Sequence, residues 1–401
     1  MRGRQDMRPR TSEGRRDPRD GRAGFTMVEL LITLLVASVI GVSIYFVFQG
    51  QSRVFFVQET VAQIQGELRF AMESLKADLK RAGFLAALNT TTDNFWCGDK
   101  PTTPLTAIQV TDGGGFVHLP SENVNVSPDS IRLLGAFNTN NTLYTERVQG
   151  NVVTLSADPL YSPGFPTTQV DFDRLFPAGS LLRIVDSTSR YQIQRITASN
   201  YAARSITLES ITRSSVGGCG PRGLGQGLLV NPVEYIRYRI VDTSNSESPG
   251  LCANSAALVG RTTLVRERLA PDGSTVLATV PIADYVVDLQ FAFMVDTAPL
   301  GANPSIPVDT NPYDFQGNAT AAQVNANPEQ VRSVTIYLAV RTPQEDPAFP
   351  FRQRQVVTVG GNQGLGPLTS FNLDTDRSGS CRVRTLVTEV QLRNFPLSPR
   401  L

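Results

Sequence analysis

The pattern of apolar and polar positions divides the chain into three textures. From Phe25 to Phe48 runs FTMVELLITLLVASVIGVSIYFVF, apolar almost throughout, with Glu29 its single charge. At 1.5 Å per residue this segment makes about 36 Å of helix, enough to cross a hydrocarbon layer of about 30 Å with some tilt. From Gln49 to Gly83 there is no proline, and Val57, Val61, Ile64, Leu68, Ala71, Leu75 and Leu79 recur every three or four positions. That spacing predicts one buried face of an amphipathic helix. Glu59, Gln63, Glu67, Glu73, Lys76 and Lys80 lie on the opposite face, and Gly83 is placed to cap the helix end. A coiled-coil dimer would need the heptad to last beyond its three or so repeats.

Past Pro101 the period changes from 3.6 to 2. Ile236, Tyr238 and Ile240 alternate in one run, Val287, Leu289, Phe291, Phe293 and Val295 in a second, and Val334, Ile336, Leu338 and Val340 in a third. Each predicts a strand with one apolar face and one polar face. Leu181–Val185 and Tyr191–Ile196 predict a hairpin, and 297–328, rich in Ala, Asn and Pro, predicts a long loop. The expected fold is α+β: a long membrane-spanning N-terminal helix packed on an antiparallel, β-rich C-terminal region. The expected divisions are a leader (1–24), the helix (25–100, with 25–48 in the membrane and 49–83 amphipathic), a β-rich middle subdomain (101–230) and a C-terminal sheet region (231–401).

Charge adds direction. The whole chain of 401 residues is at +1, so no global field points to nucleic acid. Residues 1–24, however, carry eight arginines against four acids and few hydrophobes. Such a leader cannot bury a core. Its arginines predict a cytoplasmic N-terminus and an exported C-terminal region. A cleavable secretory signal fits less well, because the apolar stretch is long and no A-x-A-like site follows it.

The junction of leader and apolar run, Gly24-Phe-Thr-Met-Val-Glu29-Leu-Leu31, resembles the class III signal of type IV pilins. The resemblance implies cleavage after Gly24 by a prepilin peptidase and methylation of the new N-terminal Phe25. It also implies an assembly role for Glu29, whose carboxylate would meet the amine of a neighbouring subunit. A charge in a membrane span is costly unless paired, so the pairing would favour docking in one register. The phrase from Glu67 to Phe84, ELRFAMESLKADLKRAGF, resembles the helix end of PilW-type minor pilins. Leu264–Glu267, Val286–Phe293, Val331–Leu338 and Val390–Asn394 add to that likeness, while the middle of the chain carries none.

This family likeness implies a structural, non-enzymatic subunit of a priming or tip complex that initiates pilus assembly and supports adhesion or twitching motility. The expected partners are the prepilin peptidase, other minor pilins and the major pilin, and the inner-membrane assembly platform, with a tip adhesin as a further candidate. No cofactor and no nucleic acid are implied. The expected location is single-pass in the inner membrane before assembly, with the C-terminal region periplasmic, and the base or tip of a pilus afterwards. The J-type pseudopilins of type II secretion share the opening and a similar helix end, and a membrane-anchored adhesin with no polymer role is the third reading.

Candidate chemistry elsewhere is sparse. The single histidine, His118, excludes multi-His metal sites, and nothing marks a nucleophile or second base beside it. Cys97, Cys219, Cys252 and Cys381 fall on the side expected to be exported, where disulfides persist. Four cysteines allow three pairings, and Cys219–Cys252 with Cys97–Cys381 is the one preferred. Zinc is disfavoured by the absence of CxxC spacing. Asp374 and Asp376 open a stretch similar to a calcium loop, but its twelfth place is Thr385 where that loop needs glutamate, so a solvated turn is preferred. The glycine clusters at 113–115 and 217–220 lack the strand–helix context of a phosphate cradle, and Trp96 reads as core packing.

Overall fold

The computed structural model describes residues 26–113, 128–139, 142–212, 219–242, 262–295, 318–343, 355–359, 369–373 and 382–395. Two compact units emerge, Met1–Gln58 and Glu59–Leu401. A single helix, α1 (Met27–Leu79), contributes to both.

In the first unit every described residue of α1 from Met27 to Phe56 is exposed except where only the backbone is described, at Arg53. From Val57, near the end of the first unit, through the second unit's part of α1, the 3.6-residue stripe lands as the spacing predicts. Val57 and Val61 are half-buried, Ile64 and Leu68 are buried, and Ala71, Leu75 and Leu79 are fully covered. Burying a leucine completely is worth about 1.5–3 kcal/mol, so this stripe is the apolar part of what holds the second half of α1 to the fold. The helix ends at Leu79, four residues short of the expected cap at Gly83. Arg81 and Ala82 donate to the carbonyls of Asp78 and Leu79 in a tighter turn. Gly83, at φ +71°, donates its N–H to Leu134 O at 2.8 Å. The glycine thus ends the turn by joining the sheet, where a Cβ would collide with Leu88.

Among the described residues fifteen strands follow in chain order. The first ten are β1 (Ile108–Thr111), β2 (Ser130–Gly135), β3 (Leu143–Gln149), β4 (Val152–Leu155), β5 (Leu181–Val185), β6 (Tyr191–Asn200), β7 (Ser205–Leu208), β8 (Leu229–Asp242), β9 (Thr262–Leu269) and β10 (Val276–Asp284). All ten are hydrogen-bonded into one sheet whose pairs are antiparallel. Strand β8 is its organiser. Residues 229–233 pair with β5 and, at Leu229 and Val230, with β3 as well. Because β3, β4, β7, β6 and β5 are themselves paired in that order, β8 closes them into a ring of six. Val153, Leu155, Leu182, Ile184, Ile206 and Val230 share its core with Phe172 of α2 (Gln169–Leu175) and with Phe176. Beyond residue 233, β8 changes partners, and 234–242 lie between β2 and β9. Strands from both sides of residue 230 therefore belong to one sheet.

A separate sheet, ordered β11 (Val286–Val295), β12 (Val331–Arg341) and β15 (Val383–Gln391), completes the core around α1. The expected alternation is only half right here. Leu289, Phe291, Phe293 and Val295 are buried, but so are Asp288, Gln290 and Ala292 on the other face. Strand β12 is central in its sheet and is buried on both faces from Leu338 to Arg341. Strands β13 (Gln355–Val359) and β14 (Thr369–Leu373) form a hairpin. The expected hairpin at 181–196 is β5 and β6 in register from Leu181↔Arg195 to Val185↔Tyr191.

One expectation needs correcting. The stretch 297–328 is not loop throughout, because Asn318–Ala326 forms α3 and Pro328–Gln330 a 3₁₀ turn. Alanine favours the helix, Val324 is fully buried, and Asn325 supplies a specific anchor. Its carboxamide accepts from Val110 N at 2.8 Å and donates to Val110 O at 2.7 Å, occupying both backbone groups of that β1 residue as a further strand would.

Candidate processing and assembly site

Thr26 has the place of an N-cap, and its Oγ1 accepts from Glu29 N at 3.3 Å. The spacing Thr26-x-x-Glu29 is that of a capping box, with an acid in the first turn where the helix dipole favours it. Thr33 Oγ1 donates to Glu29 O at 3.0 Å, so the turn carrying Glu29 is tied internally. Glu29 itself is exposed, and around it Met27, Val28, Leu30, Leu31 and Ile32 expose more than half of their area. The apolar window of α1 has a mean hydropathy of 2.6, and none of it is buried inside the chain. Among the described residues, one helix is thus long and apolar enough to cross a membrane.

Gly24 and Phe25 lie outside the described residues, as do Cys252, Cys381, His118, Asp374 and Asp376. Residues 19–45 match the sequence model of the prokaryotic N-terminal methylation motif. The N-terminus is pilin-like. The motif supports a type IV pilin-like or pseudopilin-like protein, a structural subunit rather than an enzyme, processed by a prepilin peptidase and assembled with other pilins. With the apolar helix it suits a membrane-anchored pilin that later enters a pilus. No curated protein and no solved structure matches the chain.

The pilin-like helix is fastened to its sheet by a polar clasp that periodicity alone did not reveal. Asp78, one residue before the helix ends, is only 14% exposed. Its Oδ2 accepts from Arg266 Nε of β9 at 2.6 Å and from the Tyr238 hydroxyl of β8 at 2.6 Å. Burial, reinforced by Asp78, raises the Tyr238 phenol far above its ordinary value, so it stays a donor. Burial would lower Arg266, but its bond to Asp78 and the charges of Asp78, Tyr238 and Glu234 together outweigh it and hold the guanidinium charged. On the other face of the same strands, Glu267 accepts from Arg237 at 2.7 Å and Arg239 at 2.9 Å. Those two bonds outweigh burial and keep its carboxyl below the usual range. A signal for the clasp did exist in the sequence: Asp78 lies in the phrase 67–84 and Arg266 in the phrase 264–267, two stretches already set side by side by one family likeness.

The cysteines require a second correction. Cys97 bonds Cys219, with Cα atoms 5.5 Å apart, rather than Cys219 pairing with Cys252 and Cys97 with Cys381. The reason is local. Cys97 N donates to Tyr191 O at the start of β6, and Gly220 N donates to Asp186 Oδ2 at the end of β5. One hairpin therefore gathers both cysteines, although 122 residues separate them. Trp96 packs edge-on against Tyr191 at 5.8 Å beside this bond. Among the described residues, no group of three or more His, Cys, Asp or Glu is placed to hold a metal ion.

Proposed function

We propose that this chain is a PilW-type minor pilin, a structural subunit of the complex that primes or tips a type IV pilus. The observation that carries the reading is the methylation motif set directly on a helix whose first half is apolar and exposed throughout. A helix apolar on all sides and unburied within its own chain requires lipid or other subunits around it. Cleavage after Gly24 turns Phe25 into a charged amine near the depth of Glu29. In a filament interior of low dielectric, that amine and the Glu29 carboxylate of a neighbouring subunit relieve each other's burial cost. The arginine-rich leader keeps the N-terminus cytoplasmic until processing, with the second unit facing the periplasm.

The test has two parts. Mass spectrometry of the mature N-terminus is expected to find methylated Phe25; an intact 1–24 leader on the native chain overturns the reading. Glu29→Ala is expected to leave cleavage unaffected while lowering incorporation into pili. Unchanged incorporation counts against the assembly role, and a chain co-purifying with secretion components instead of pilus subunits points to the J-type pseudopilin role.

A further inference from the structure

The exposed apolar part of α1 is longer than a hydrocarbon layer requires. Met27 to Phe48 makes about 33 Å of helix, already the thickness of the hydrocarbon. Yet Val54, Phe55 and Phe56 are 57%, 69% and 53% exposed, and the first half-buried residue is Val57. Met27 to Phe56 makes about 45 Å, the thickness of a bilayer with both of its headgroup layers, about 40–45 Å, so a helix whose first turn, with Glu29, lies in the inner headgroups brings Val54–Phe56 to the outer ones.

The composition of the added turns fits an interface better than a hydrocarbon core. Gln49, Gln51, Ser52 and Arg53 intervene between Phe48 and Val54. At the inner edge of this interval Gln49 Nε2 donates to the Tyr45 hydroxyl at 2.6 Å, tethering a tyrosine where one end of the ring is apolar and the other wet. Phe46, Val47, Val54 and Phe55 line one open groove across Gly50, with Gln51 and Gln58 at its side, so an apolar strip continues outward from the span beside amides.

We propose that residues 49–56 form a second membrane contact, seated in the outer headgroup layer, with Phe55 and its neighbours as the anchor and the amides between them meeting headgroups and water. The occupant of this face is thus a lipid surface, in continuity with the span. The proposal rests on the reading of Phe25–Phe48 as membrane-spanning, and its test separates the two.

The full chain is reconstituted in phosphatidylcholine vesicles as Leu35→Trp, Phe55→Trp or Phe70→Trp, and the signal of Trp96 is subtracted using the parent protein. Three quenchers are compared: lipid brominated in mid-chain, lipid carrying a headgroup nitroxide, and aqueous iodide. Leu35→Trp is expected to lose fluorescence chiefly to the brominated lipid, and Phe70→Trp, whose position is 61% exposed beyond the proposed seat, chiefly to iodide. Phe55→Trp is expected to lose fluorescence chiefly to the headgroup nitroxide. If Leu35→Trp resists the brominated lipid, the span itself is refuted. If Leu35→Trp behaves as expected but Phe55→Trp follows iodide as Phe70→Trp does, only the headgroup seat is refuted. Resistance of Phe55→Trp to all three quenchers overturns the seat in favour of a neighbouring helix.

Discussion

Replacing Asp78 by alanine removes the oxygen on which Arg266 and Tyr238 converge, and the structure sets the size of the effect. Each partner makes a bond of 2.6 Å to the same atom. Bonds to a charged group contribute about 1.5–3 kcal/mol each. Arg266 is 26% exposed and Asp78 14%, so water can re-solvate part of what is lost. Glu234, close enough to influence Arg266, offers the guanidinium a substitute charge. A net loss of about 3 kcal/mol follows, in the lower part of the range for breaking a buried pair. The assay is urea unfolding of the detergent-solubilised full chain, read through Trp96, the sole tryptophan, which is buried against Tyr191. With an m-value of about 3 kcal/mol/M, the midpoint is expected to fall by about 1 M at unchanged slope. In a double-mutant cycle with Arg266→Ala the two losses are expected to be strongly non-additive, because both delete one interaction. Additive losses, or a midpoint unmoved by Asp78→Ala, would refute the clasp as the fastening of the helix.

Two further outcomes follow from buried groups. Asp129, 5% exposed, accepts from Phe291 N and Gly113 N, yet burial, with Asp112 and Asp288 nearby, pushes its carboxyl up to about 8. The folded state therefore binds this proton more tightly than the unfolded chain, so stability is full below about pH 4 and is lost as pH rises towards 8, by up to about 1.4 kcal/mol per pH unit. Asp129→Asn is expected to flatten the urea midpoint across pH 5–8; a parent protein with no fall over that range contradicts the assignment. Non-reducing peptide mapping is expected to recover Cys97 linked to Cys219, and reduction to lower stability by up to about 5 kcal/mol through loop-closure entropy over 122 residues. A Cys219–Cys252 peptide would speak against that pairing.

What could be read from the sequence was local. The stripe from Val57 to Leu79 needs only the helical period, and Ile236, Tyr238 and Ile240 need only alternation, so both were legible. The ring of six strands was not, because it depends on one strand accepting different partners before and after residue 233, a fact of register rather than composition. The same holds for Cys97 and Cys219, joined by a hairpin that neither cysteine belongs to. Nothing local singles out Asp78, since its partners lie 160 and 188 residues away. The helix at Asn318–Ala326 was obscured by asparagines that favour turns in isolation, one of which serves as an anchor here.

That anchor bears on life in a crowded polymer. Subunits of a filament meet at very high local concentration, where any bare strand margin invites a neighbour to zip onto it. Asn325 forecloses this at Val110 by spending a side chain as a counterfeit peptide group. At Val110, then, β1 leaves no open backbone pair for a neighbour's strand to meet.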